Sequence, residues 1–222
     1  MNEIDFFAGI LLPALMEGAV VTLKLIAVSA PFGFLAGIGI AVGRTYGNHL
    51  TSFLCRLYII FFKGCPLLLL LIILYFGLPS VGITLSAFTA AVIGFILCNG
   101  AYNSEYIRGA IQSVKEGQMI AAEALGMTRL QAIRYIILPQ ALRRAIPGIS
   151  NEFIYLIKYS SLAYMITLIE ITGAGKVIAA RYFTFMEVFL VVGLFYLVLV
   201  SIATLILNRL EKKLAIPGVV MG

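Results

Sequence analysis

Five apolar runs alternate with polar breaks along this chain, near Gly18–Val42, Phe53–Phe76, Thr84–Tyr102, Gly148–Ile169 and Glu187–Leu207. Each is close to the roughly 20 residues a helix needs to cross the hydrocarbon core of a bilayer. The stretch from Ile4 to Met16 is also apolar, but it is short and contains Pro13, so it reads as an interfacial helix and not a sixth span. The polar stretch Gly117 to Pro139, GQMIAAEALGMTRLQAIRYIILP, must connect two spans, yet it is not written like a connector. Helix formers run from Gln118 to Leu125, and Gly126 stands where a helix ends in a left-handed residue. Thr128 and Gln131 have the spacing of a capping box. A second helix is then expected up to Pro139. Two ordered helices in a solvent-side loop predict a surface presented to a partner.

Composition sharpens the membrane reading. Of 222 residues 62% are hydrophobic and 12% charged, against about 25% charged in soluble domains. The net charge of +6 could suggest nucleic acid, but its distribution argues otherwise. Arg44 and Arg56 lie in one connection, Arg108, Lys115, Arg129, Arg134, Arg143 and Arg144 in another, and Arg209, Lys212 and Lys213 at the C-terminus. The connections Gly77 to Thr84 and Glu170 to Glu187 carry, respectively, no basic residue and a balanced set. This alternation is the positive-inside rule. It places the N-terminus outside and the C-terminus in the cytoplasm, and it predicts no nucleic-acid partner. The acidic start (Glu3, Asp5, Glu17) is unlike a cleavable signal peptide.

Catalytic signatures are sparse. Cys55, Cys65 and Cys98 are odd in number, lie in or beside apolar runs and have no CxxC spacing, so they read as unpaired small hydrophobes with no metal framework. The single histidine, His49, falls in a basic connection. Gly173, Gly175 and Lys176 mimic part of a phosphate loop, but Glu170 stands where a Walker A motif needs its first glycine. No catalytic residue, metal or cofactor is expected on this chain.

Four motifs in order carry a family resemblance. Phe62-Lys63-Gly64-Cys65-Pro66-Leu67-Leu68 resembles the FRGTPLL of the polar amino acid branch of ABC permeases, with Lys for Arg and Cys for Thr. Ala101-Tyr102, Glu105, Arg108 and Gly109 match its AYxxExxRG, and Lys158 to Leu162 (KYSSL) is close to its KDTSL, with Tyr159 at the Asp position. Gly117-Gln118 followed by Ala121, Ala122, Gly126, Ile136 and Leu138-Pro139 resembles the EAA loop of type I ABC importers, with Ile120 where the family has Glu. The resemblance implies an all-α integral membrane protein of five transmembrane helices with a cytoplasmic coupling helix. Residues 18–210 would form the permease domain, residues 1–17 an interfacial segment and residues 211–222 a cytoplasmic tail. It implies a second permease copy, two copies of a separate ATPase that uses ATP and Mg, and an extracytoplasmic amino-acid-binding protein. The coupling residues would be Gly117, Gln118, Ile120, Ala121, Ala122, Glu123, Leu125 and Gly126, Glu123 being one turn beyond Ile120.

The fourth run is the most polar. Asn151, Glu152 and Lys158 interrupt it, and an ionised group costs about 2.5–3.5 kcal/mol at the bilayer centre on insertion scales. Glu152, Tyr155 and Tyr159 share one helical face, and Asn151, Tyr155 and Lys158 the adjoining one. Charge pairing that only holds a bundle together is one reading, and a polar translocation pathway is the other. With the motifs, the pathway residues are Cys65, Asn99, Tyr102, Glu152, Tyr155, Lys158, Tyr159 and Ser161. A carboxylate at position 159 would suit cationic substrates. With Tyr159 there, a neutral polar zwitterion is expected, its ammonium near Glu152. A channel or ion-driven transporter working without ATP would also explain the buried charges, though not the ordered loop. An intramembrane enzyme lacks a nucleophile–base set.

Overall fold

The computed structural model describes residues 3–214, and all regular structure among them is helical. We number the helices α1 (Phe7–Tyr46), α2 (His49–Gly64), α3 (Leu67–Val81), α4 (Ala87–Ser113), α5 (Gly117–Ala124), α6 (Arg129–Ile166), α7 (Ile171–Tyr182) and α8 (Phe185–Leu214). Helices α1, α4 and α8 are each long and apolar enough to cross a membrane, and the bent pairs α2–α3 and α6–α7 bring the number of spans to five if each pair counts as one.

The bends change what the hydrophobic runs predict. The second run is not one straight helix but turns by 99° between α2 and α3. Cys65 and Pro66 are both extended there (ψ 125° and 129°), because proline disfavours helical geometry in the residue before it and lacks an N–H itself. The fourth run differs more. The helix after Thr128 does not stop at Pro139 but continues through it and Pro147 to Tyr159 and a 3-10 turn. A π turn over Ile133–Ile137 precedes Pro139, with the Leu138 N–H donating to Ile133 O. That extra residue in the turn absorbs the missing donor. Gly148 is therefore inside α6 and does not begin the fourth helix. Residues 171–182, expected in an outer connection, form α7, bent 49° from α6.

The N-terminal segment also differs from a separate interfacial helix. It runs without a break into α1, and Pro13 sits in the first turn of Leu12–Tyr46, where its absent N–H needs no partner after the π turn Phe7–Leu11. Leu11 and Leu15 are fully buried against Ile171, Ala174, Val188 and Val192. Two more apolar clusters follow along the bundle. One joins Leu25, Leu71, Phe95, Leu156 and Ile166, and the other joins Ala41, Ile107, Ile111, Ile137 and Ala141. Helix α8 covers one side with Val188 and Val192 buried and leaves most of its apolar surface exposed, as a lipid-facing helix does.

Glycines on α1 bring α4 close. A Cβ on Gly37 would stand 2.7 Å from Asn103 Cβ, and one on Gly33 would overlap Asn99. The small-residue spacing thus packs helices within one chain here. Asn48 and Ser86 cap α2 and α4, accepting from the N–H groups of Thr51 (2.8 Å) and Thr89 (3.1 Å).

Candidate substrate pathway and coupling surface

Asn99 sits on α4 and Glu152 on α6, and both are buried. Asn99 Nδ2 reaches Glu152 Oε1 at 3.5 Å, and Asn103 Nδ2 donates to Asn99 Oδ1 at 2.7 Å. Glu152 is only 4% exposed, and among the described residues it makes no ion pair. On α4, Cys98 and Tyr102 stand just before and one turn after Asn99, and Tyr106 one turn further; on α6, Tyr159 lies two turns beyond Glu152. Tyr106 is held over Gly148, where a Cβ would come within 2.5 Å of its ring. Tyr155 stacks on Tyr159 with ring centres 5.7 Å apart and planes 15° from parallel. The result is one buried carboxylate beneath a rim of partly exposed tyrosines.

Not every expected pathway residue joins this group. The Lys158 ammonium lies 4.4 Å over the Tyr155 ring. Six residues beyond Glu152, it projects about 120° round the helix from it, on an exposed stripe with Asn151 and Tyr155. Ser161 donates to Lys158 O at 2.7 Å inside the 3-10 turn, so its hydroxyl is occupied locally. Cys65 is half-buried at the α2–α3 bend. Motif reading passed over Lys63, whose ammonium lies 5.2 Å from the centre of the Tyr102 ring, and Asn103, four residues after Asn99 on the same helical face. It also missed Tyr58, which donates to Leu97 O at 2.7 Å across α2 and α4; nothing in the local sequence marks that contact.

Glu105 is an ion-pair hub. It pairs with Arg44 of α1 and with Arg108 (3.0 Å) of its own helix, and Arg108 also donates to Gln112 at 2.8 Å. The i,i+3 pair within α4 is thus extended into a tie between α1 and α4.

The loop between α4 and α6 is built as its local signals require. Helix α5 ends with Gly126 at φ +83°, the Met127 N–H donating to Ala122 O (3.1 Å) and the Gly126 N–H to Glu123 O (2.9 Å), which is a Schellman ending. Thr128 and Gln131 then form a reciprocal capping box. Gly117 and Gln118 open α5, and Gln140 Nε2 lies 3.4 Å from Gln118 Oε1. One expectation needs correcting. Ala122 is 4% exposed and faces its own chain, where a small residue lets α5 lie close to the bundle. The outward face carries Ala121, Glu123 and Ala124, with Ile120 at 65% and Leu125 at 85% exposure. Met119 instead packs on the inner apolar cluster.

Comparison with known proteins agrees with this architecture. Residues 33–216 match the family described as binding-protein-dependent transport system inner membrane component. The chain is 43% identical over 203 residues to the probable amino-acid ABC transporter permease protein YckA of Bacillus subtilis (strain 168), covering 91% of this chain and 90% of that one. It is 35% identical over 207 residues to the glutamine transport system permease protein GlnP of Escherichia coli (strain K12), covering 92% and 94%. Among solved structures, an amino acid ABC transporter with histidines superposes with a TM-score of 0.83 at 32% identity, over 90% of this chain and 94% of that one.

Proposed function

Because the chain belongs to the family of binding-protein-dependent transport system inner membrane components, we propose that it is the pore-forming subunit of an ATP-driven importer for a polar amino acid. It pairs with a second permease copy and receives substrate from an extracytoplasmic amino-acid-binding protein. It couples to a separate ATPase, which uses ATP and Mg. Its C-terminus is cytoplasmic and its N-terminus outside, as the basic connections require.

The observation that carries the coupling half of this reading is the capped helix–turn–helix from Gly117 to Gln131, which holds Ile120 and Leu125 out into solvent. Large apolar side chains fixed outward by two capping motifs are costly unless a partner covers them. ATP binding would close the ATPase dimer, move α5 and turn the pathway outward, a two-state transition biased from the cytoplasmic side.

The pathway is proposed to run past Glu152, Asn99, Tyr102 and Tyr159, with Cys65 at its edge. The test is uptake in vesicles that contain permease, ATPase and binding protein. Uptake that requires ATP and all three components supports the reading. Equal uptake without the ATPase would mean a channel or an ion-driven transporter instead.

A further inference from the structure

The pathway group contains one buried carboxylate, and the question is what balances it. Arg44 and Arg108 are already engaged by Glu105. Lys158 points to a different face of α6 and rests on Tyr155. Lys63 remains. It sits in the last turn of α2, one residue before the bend, with its side chain exposed and its ammonium over the Tyr102 ring. Tyr102 follows Asn99 by one turn of α4, and Asn99 reaches Glu152, so Lys63 is the cation the packing leads to, and among the described residues it forms no ion pair.

We infer that Lys63 receives the substrate's α-carboxylate opposite Glu152, so that the cradle matches a zwitterion whose side chain carries no charge. This rests on the pathway reading above and adds to it the second half of the recognition. Glu152 lies against Asn99, and Lys63 lies over Tyr102 one turn further along α4. An amino acid's ammonium and carboxylate satisfy both and leave the side chain against the Tyr159 ring. A second ammonium on the substrate finds no anion left, and a second carboxylate finds no further cation. Lys63 is held over an aromatic face and, among the described residues, is paired with no acid, so it is not committed to a counter-ion. That arrangement suits a group that must accept and release a carboxylate in each cycle.

The experiment uses the permease with its ATPase in lipid vesicles and reads modification of the Cys65 thiol by a methanethiosulfonate reagent, located by mass spectrometry. L-glutamine, L-glutamate, L-lysine and L-glutaminamide, whose α-carboxylate is amidated, are the probes. L-glutamine is expected to slow labelling at a concentration at least about tenfold lower than any of the other three. Lys63→Met should abolish the advantage of L-glutamine over L-glutaminamide, while Lys63→Arg, which keeps the charge, should retain it. If Lys63→Met keeps the full advantage while Glu152→Gln removes protection, the inference is overturned and the pathway reading stands. If Glu152→Gln also leaves protection unchanged, or if no probe protects Cys65, the pathway reading falls and the inference with it.

Discussion

Among the described residues Glu170 pairs with no cation, yet it is fully buried, and hydrogen-bond donors hold it there. Its carboxylate accepts from the N–H groups of Thr172 (3.0 Å) and Gly173 (2.9 Å) and from the Tyr196 hydroxyl (2.7 Å), so it caps α7 and pins α8 to the bend. Gly18 of α1 passes so close that a Cβ there would stand 2.8 Å from the Glu170 carbonyl. Glu170→Ala strands two amide donors and a hydroxyl and should cost about 2–3 kcal/mol, whereas Tyr196→Phe removes the hydroxyl's contacts to Glu170, Thr172 (3.1 Å) and Ser160 (3.5 Å) but leaves the cap's amide donors paired, and should cost about 1–2 kcal/mol. Thermal unfolding in detergent checks the order, and equal losses would contradict it. The role proposed for Tyr159 concerns charge and not stability. An Asp there would add an anion near Glu152, and at intermediate dielectric such a partner is worth several kcal/mol to a cation. Tyr159→Asp should therefore shift competition toward arginine or lysine by about tenfold or more, equivalent to about 1.4 kcal/mol. Glu152→Ala should weaken all substrates. Unchanged competition profiles for both variants would mean that neither residue faces the cargo.

Among the elements, α5 and its turn were legible because their signals are local. A helix former run, a glycine at its end and a Thr–Gln box specify caps within a few residues, and the structure contains them at those positions. Gly126→Val tests the turn. At φ +83° a β-branched residue is a clear outlier, and the strain is about 1–2 kcal/mol. Membrane insertion should be normal, while ATPase copurification and transport fall. Leu125→Asp should weaken copurification without strain, since the side chain is exposed. Ala122→Trp should act differently, by forcing α5 off the bundle and lowering the unfolding temperature. If copurification and transport stay at the wild-type level in both Gly126→Val and Leu125→Asp, α5 is not the dock. The proline signals were less legible. Pro66 breaks its run while Pro139 does not, and the difference lies in a π turn that accommodates one and two extended residues that precede or include the other. Proline type and position alone do not distinguish these cases. Among the residues proposed for the pathway, Tyr102 and Tyr159 stood out through motifs and Glu152 as a charge in an apolar run, and the structure brings Glu152 against Asn99. Lys63 stood in a motif but not as a pathway residue, since its place over Tyr102 exists only once α2 packs against α4.

At the scale of the whole molecule, sidedness follows from where charge and apolar surface lie along the bundle. The apolar cluster around Leu11, Leu15, Ile171 and Val188 closes one end, and the cluster around Ala41, Ile107 and Ile137 closes the other. Beyond the second cluster stand Arg44, Arg108, Lys115, Arg129, Arg134 and Arg144, and with them the exposed face of α5. Arg144 is tied to α4 through the carbonyl and hydroxyl of Ser113, the latter at 3.0 Å, so the basic end is an ordered surface and not a set of loose tails. Lysine and arginine are retained on the cytoplasmic side during insertion. A reporter fused within residues 117–144 should therefore read as cytoplasmic. One placed at Gly82, in the left-handed turn between α3 and α4, or at Phe183, exposed between α7 and α8, should read as outside. The bends make this a sharper test than hydropathy provides, because α2–α3 and α6–α7 each cross the membrane only if the bent pair acts as one span. If α6–α7 were re-entrant instead, Phe183 would return to the side of Arg129 while Gly82 stayed outside. Accessibility of a single cysteine at Phe183 to a membrane-impermeant thiol reagent in intact cells separates the two arrangements. Labelling only after the cells are permeabilised would put α7 and the start of α8 on the cytoplasmic side, and the five-span topology would have to be abandoned.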